Sequence, residues 1–132
     1  MVTYRIKYYS PAVLYVILIF ALSSLNQRIV YNYSWGLDDF LLHFTEYHFY
    51  GVTLIWAVMR DKPRSELKSS YRLAVSIGAL SAISDEFYQS FIPSRYSTLD
   101  DVVADVFGVL LSVITFSLLM KIRFLERIRK NA

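Results

Sequence analysis

The residue types that could do chemistry crowd into one stretch, residues 81–108, which reads SAISDEFYQSFIPSRYSTLDDVVADVFG. Asp85, Glu86, Gln89, Arg95, Asp100, Asp101 and Asp105 sit there among apolar neighbours. A second group, Asp39, His43 and Glu46, lies in an earlier apolar run. Against Asp39, Glu46, Asp85, Glu86, Asp101 and Asp105 stand only Arg95 and, if protonated, His43. Carboxylates withdrawn from water share protons or bind a cation. Carboxylates that exchange protons near neutral pH are the groups general acid–base catalysis uses. The catalytic candidates are therefore His43, Asp85, Glu86 and Asp105, with Asp85 or Glu86 as base, His43 as acid and Arg95 holding an anionic group. A divalent metal would find a mixed nitrogen and oxygen set in His43 and Glu46, at i and i+3, with Asp85 or Asp105. That spacing alone commits the chain to no metal, and no cofactor is expected. Cysteine is absent, which removes disulfide and thiol chemistry. Ser81, Ser84 and Ser97 carry no local triad signature.

The elements that position these groups follow from composition. The chain has 132 residues, of which 55% are hydrophobic and 17% aromatic. That length suits a single domain, residues 1–132. A soluble domain of this size could not bury so much apolar surface. Apolar windows at about 11–26, 40–59, 71–92 and 102–120 approach the roughly 20 residues a helix needs to cross a bilayer. The expected fold is all-α, an integral membrane four-helix bundle. The first run, Pro11 to Leu25 behind Arg5 and Lys7, also resembles a signal peptide. It lacks a clear small-x-small cleavage site, which favours a retained span. Tyr31, Tyr33 and Trp35 suit an interfacial belt. Pro63 breaks the connection after the second window, and Pro93 stops the third near Ile92.

Charge placement gives an orientation. Of 14 Lys and Arg residues, 12 lie before the first window, in residues 60–72 or in the tail from Lys121. Only Arg28 and Arg95 fall in the other connections. With four crossings those three basic segments share one face. The positive-inside rule makes that face cytoplasmic, with both termini inside. The charged stretch 81–108 then opens on the extracytoplasmic side, away from ATP. The basic tail reads as an orientation signal or an attraction to anionic lipid, and no nucleic-acid partner is expected.

Helical periodicity sorts the polar residues into stripes. Asp39, His43, Glu46, Tyr50 and Thr53 share one face, while His48 points the opposite way and reads as interfacial or packing. Ala74, Gly78 and Ala82 form a ridge of small residues for close helix approach, continued by Asp85 and Gln89 with Glu86 at its edge. Asp101, Asp105, Gly108 and Ser112 line a third stripe. At 1.5 Å per residue, Glu46 lies about 10 Å below Asp39, Asp85 about 10 Å below Ile92 and Asp105 about 6 Å below Asp101. Three stripes thus bring polar groups to one depth, and each should face the bundle interior.

At these residues the chain resembles the VanZ-like family, small membrane proteins named for a teicoplanin-resistance accessory protein. The resemblance rests on Asp39-Phe-Leu-Leu-His43-Phe44 with Tyr47 following, Asp85-Glu86-Phe-Tyr-Gln89, Phe91-Ile-Pro93-Ser-Arg95, and Asp101-Val-Val-Ala-Asp105-Val-Phe-Gly108. It covers about residues 11–120. Asp105 stands where the family usually has Asn. An amide there donates to a neighbouring carboxylate, whereas an ionised Asp cannot, so Asp105 is protonated or a cation replaces the donor. Glu46 lies outside the motif.

The resemblance implies a multi-pass protein of the bacterial cytoplasmic membrane, acting on the cell envelope in a manner related to glycopeptide (teicoplanin) resistance. It supplies no established reaction. Two functional readings follow. In the first, Asp39, His43, Glu46, Glu86, Gln89, Arg95, Asp101 and Asp105 line an extracytoplasmic-side pocket for an envelope lipid, cell-wall precursor or glycopeptide antibiotic. In the second, the same groups run an intramembrane hydrolase or transferase by carboxylate and His acid–base chemistry. A proton- or ion-coupled transporter is a weaker third, since four short spans suit it only in a homo-oligomer. The structural alternative is a clamp in which Arg95 pairs with Glu86 or Asp101 to tie the third helix to the fourth.

Overall fold

The computed structural model describes residues 2–25, 36–61, 66–93, 95 and 97–131. All regular structure among them is helical: α1 Val2–Ser23, α2 Gly36–Asp61, α3 Leu67–Gln89 and α4 Leu99–Asn131. The belt residues Tyr31, Tyr33 and Trp35, and the breaker Pro63, lie outside the described residues.

The helices occupy the four expected apolar windows with shifted ends. α1 begins well before Pro11, which sits inside it. A proline cannot donate to the carbonyl four residues back. Here that carbonyl belongs to Lys7, and Ser10 Oγ donates to it at 3.4 Å. α3 closes at Gln89, short of Ile92. Phe91 N–H donates to Tyr88 O at 3.1 Å and Ile92 N–H to Gln89 O at 2.9 Å, tighter turns that unwind the helix ahead of Pro93. α4 starts at Leu99, two residues before Asp101, because Thr98 caps it. Thr98 Oγ1 accepts from the Asp101 N–H at 3.3 Å and donates to Asp101 Oδ2 at 2.8 Å.

α1 and α4 contain stretches long and apolar enough to cross a membrane, Ile6–Ser23 and Leu99–Arg123. α2 and α3 have the length, at 26 and 23 residues. Their hydropathy is lowered by His43, Glu46 and His48 in one and by Asp85 and Glu86 in the other. Large apolar side chains face outward on every helix, among them Leu14, Leu41, Leu80, Phe87 and Ile114.

The core explains how polar stripes can meet inside. α2 packs most extensively on α4, and the approach is set by glycines. A Cβ on Gly108 would collide with the Phe44 carbonyl and the His48 amide, and one on Gly51 with Ser112. Gly78 admits Val109, between Ala74 and Ala82, both fully buried. The small-residue ridge of α3 therefore packs against α4, as its spacing predicts. Tyr47, Tyr50, Leu54 and Ile55 fill the centre from α2, with Ile19 from α1. The Tyr15 and Tyr50 rings stack at 6.3 Å, joining α1 to α2.

Candidate functional site

Each polar stripe is buried at the end of the bundle where α1 and α3 finish and α2 and α4 begin. α3 contributes Asp85, Glu86 and Gln89, all buried, on the face that also buries Ala74, Gly78 and Ala82. α4 contributes Asp101 and Asp105. From α2 comes His43, 6% exposed. Spacing of i, i+4 along each helix holds these groups on one side.

Two hydrogen-bonded arrangements organise the cluster. His43 Nδ1 and Asp105 Oδ1 form a hydrogen-bonded pair at 3.1 Å between α2 and α4. Asp85 Oδ2 accepts from Ser23 Oγ at 2.9 Å and from Gln89 Nε2 at 3.0 Å, and Gln89 Nε2 also reaches Ser23 Oγ at 3.2 Å. Ser23, at the last turn of α1, therefore belongs to the site. Apolar periodicity carried no sign of it, because α1 reads as a plain span. Tyr47, which the sequence placed beside the Asp39–His43 element without a role in the site, also belongs here. It is fully buried, its hydroxyl has no hydrogen-bond partner among the described residues, and it feels the charges of Asp105, Asp85 and Glu86. Its position four residues after His43 was the available signal.

Arg95 lines the pocket and does not make the pair that the clamp alternative gave it. It reaches neither Glu86 nor Asp101. Its Nε donates to the Ser23 carbonyl at 3.2 Å and its Nη2 to the Leu22 carbonyl at 3.1 Å, capping the C-terminus of α1. The clamp between α3 and α4 runs instead through Ser97 Oγ, which donates to the Glu86 main-chain carbonyl at 2.9 Å. Both Glu86 carboxylate oxygens are buried without a hydrogen-bond partner among the described residues. Asp101 serves partly as the capping partner of Thr98. Asp100 is exposed at the start of α4.

Glu46 is half-buried and shares a pocket with His43 rather than joining the carboxylates of α3 and α4. The atoms that come within 4.8 Å of one another belong to His43, Asp85, Glu86 and Asp105, so Glu86 takes the place that spacing gave to Glu46. Asp39, His43 and Asp101 form an overlapping second group. His48 is half-buried on another face, its ring 5.5 Å from Phe49. The pocket itself encloses about 310 Å³ and is lined by Leu22, Ser23, Leu25, Leu42, His43, Glu46 and Arg95. One wall is apolar, and the other offers an imidazole, a carboxylate and a guanidinium.

Four helices with outward apolar surface surround an inward group of acids at one end, and two of them are long and apolar enough to cross a membrane. The chain belongs to the VanZ-like family: a family model described as VanZ/LLP1 matches residues 9–120, from α1 to the middle of α4. No curated protein and no solved structure matches the chain.

Proposed function

We propose that this VanZ-like membrane protein holds the headgroup of an envelope lipid, or of a lipid-linked cell-wall precursor, in the pocket between α1, α2 and Arg95. The observation that carries the reading is the composition of that pocket, where Leu22, Leu25 and Leu42 adjoin Arg95, His43 and Glu46. Arg95 uses Nε and Nη2 on the α1 carbonyls, which fixes the guanidinium and leaves Nη1 for a phosphate oxygen. Glu46 suits an amine or hydroxyl of the same headgroup. The leucines suit the first methylenes of its chains.

All four helices cross the cytoplasmic membrane in this reading. The outward Leu80 and Phe87 of α3 support a lipid-facing surface on a helix whose acids point inward. The distribution of Lys and Arg supports cytoplasmic termini and an extracytoplasmic pocket. Glycopeptide antibiotics, suggested by the family's namesake, are a further ligand class for the same opening. The test is native mass spectrometry of protein extracted in a mild detergent, with the retained lipids identified. Retention of one lipid class above its share in the membrane supports the proposal. A retained mixture that mirrors the bulk membrane overturns it.

The His43–Asp105 pair favours a second reading, hydrolysis or group transfer on the bound lipid. A carboxylate that fixes one imidazole nitrogen leaves the other to move a proton in the pocket. Incubating the protein with total envelope lipids should then yield an altered lipid species. Unchanged lipid profiles would leave binding as the function.

A further inference from the structure

We infer that His43, Asp85, Glu86 and Asp105 form a binding site for one divalent transition-metal cation, with Zn2+ or Mn2+ the class their ligand atoms suit. The inference goes beyond headgroup binding and stands independently of it. One ligand atom from each of the four residues lies within 4.8 Å of the others, drawn from three helices. The residues are 6%, 0%, 4% and 0% exposed respectively.

Acids in proximity make no site by themselves. What points to a ligand is the disposition of their oxygens. Asp85 Oδ1, both Glu86 carboxylate oxygens and Asp105 Oδ2 are buried with no hydrogen-bond partner among the described residues. The remaining oxygens of the two Asp residues are tied back. Asp85 Oδ2 takes hydrogen bonds from Ser23 and Gln89, and Asp105 Oδ1 pairs with His43. Hydrogen bonds on the outer oxygen that leave the inner one bare are how proteins orient carboxylate ligands.

Charge argues the same way. Three carboxylates and one imidazole converge, and the Arg95 guanidinium is turned onto the α1 carbonyls. A divalent cation balances most of that charge. One imidazole nitrogen with carboxylate oxygens favours Zn2+ or Mn2+ over Cu(I), which wants sulfur, and over Mg2+ or Ca2+, which take oxygen alone. The competing arrangement is a set of acids that share protons and bind no metal.

Metal analysis separates the two. The full chain, purified without a metal-affinity tag, is dialysed against ZnCl2 or MnCl2, freed of excess and measured by inductively coupled plasma mass spectrometry. The expected result is about one metal per chain, falling at least about tenfold in Glu86→Gln and unchanged in His48→Gln. Ser23→Ala removes the hydroxyl that donates to Asp85 and accepts from Gln89, and should weaken metal affinity about tenfold or more while leaving the helical circular dichroism intact. It carries the test if Glu86→Gln does not fold. Wild-type protein with less than about a tenth of a metal per chain overturns the inference, as does equal metal in wild type, Glu86→Gln and Ser23→Ala.

Discussion

Arg95 and Ser23 are joined through the main chain: the guanidinium Nε donates to the Ser23 carbonyl at 3.2 Å, while the Ser23 hydroxyl donates to Asp85. One residue at the end of α1 thus links the cation of the α3–α4 connection to the buried acids. Replacing Arg95 by Ala should remove a charge-assisted cap and lower stability by about 1.5–3 kcal/mol. Lys, which cannot reach two carbonyls in a fixed fork, should restore only part of it. Thermal unfolding in detergent, followed by circular dichroism, reads both. An Arg95→Ala midpoint equal to wild type would show that the cap contributes nothing.

The close approach of α2 and α4 depends on Gly108, whose missing side chain makes room for the Phe44 carbonyl and His48 amide. Those are backbone atoms and cannot rotate away. Gly108→Val should cost about 1–3 kcal/mol or more, by forcing the helices apart. It should also loosen the His43–Asp105 pair, which spans the same two helices. A lowered midpoint together with lost ligand would fit, whereas full stability would mean that the helices do not meet there.

Asp105→Asn installs the residue more usual in the family. Its amide can donate to the unpartnered oxygens of Asp85 or Glu86 while its oxygen still accepts from His43. Removing one buried acid and satisfying another should raise stability by about 1 kcal/mol. The same change should weaken any bound cation. A lower unfolding midpoint in Asp105→Asn contradicts this account of the cluster.

Much of the arrangement is legible in the sequence for a simple reason. Ala74, Gly78, Ala82, Asp85 and Gln89, like Asp101, Asp105, Gly108 and Ser112, repeat at helical spacing, and all are buried. What periodicity does not encode is partner choice. Arg95 has Glu86 and Asp101 near it in sequence, yet its donors go to carbonyls of a helix more than seventy residues away. Glu46 shares the face of His43 yet lines the pocket, while Glu86, at the edge of its stripe, turns into the core. Ser23 closes an apolar helix and has no pattern to betray it. The charged faces of α2 and α3 also explain why only α1 and α4 stand out as apolar enough to span a membrane.

The central claim is that the polar end of the bundle is a ligand site and not a device for holding helices together. Glu46 tests it most directly, because it lines the pocket and makes no hydrogen bond to a described residue. The measurement is the unfolding midpoint and the retained lipid of Glu46→Gln beside wild type, in the same detergent. The account predicts an unchanged or higher midpoint with the retained lipid class reduced several-fold. A lowered midpoint with lipid retained as in wild type would contradict it.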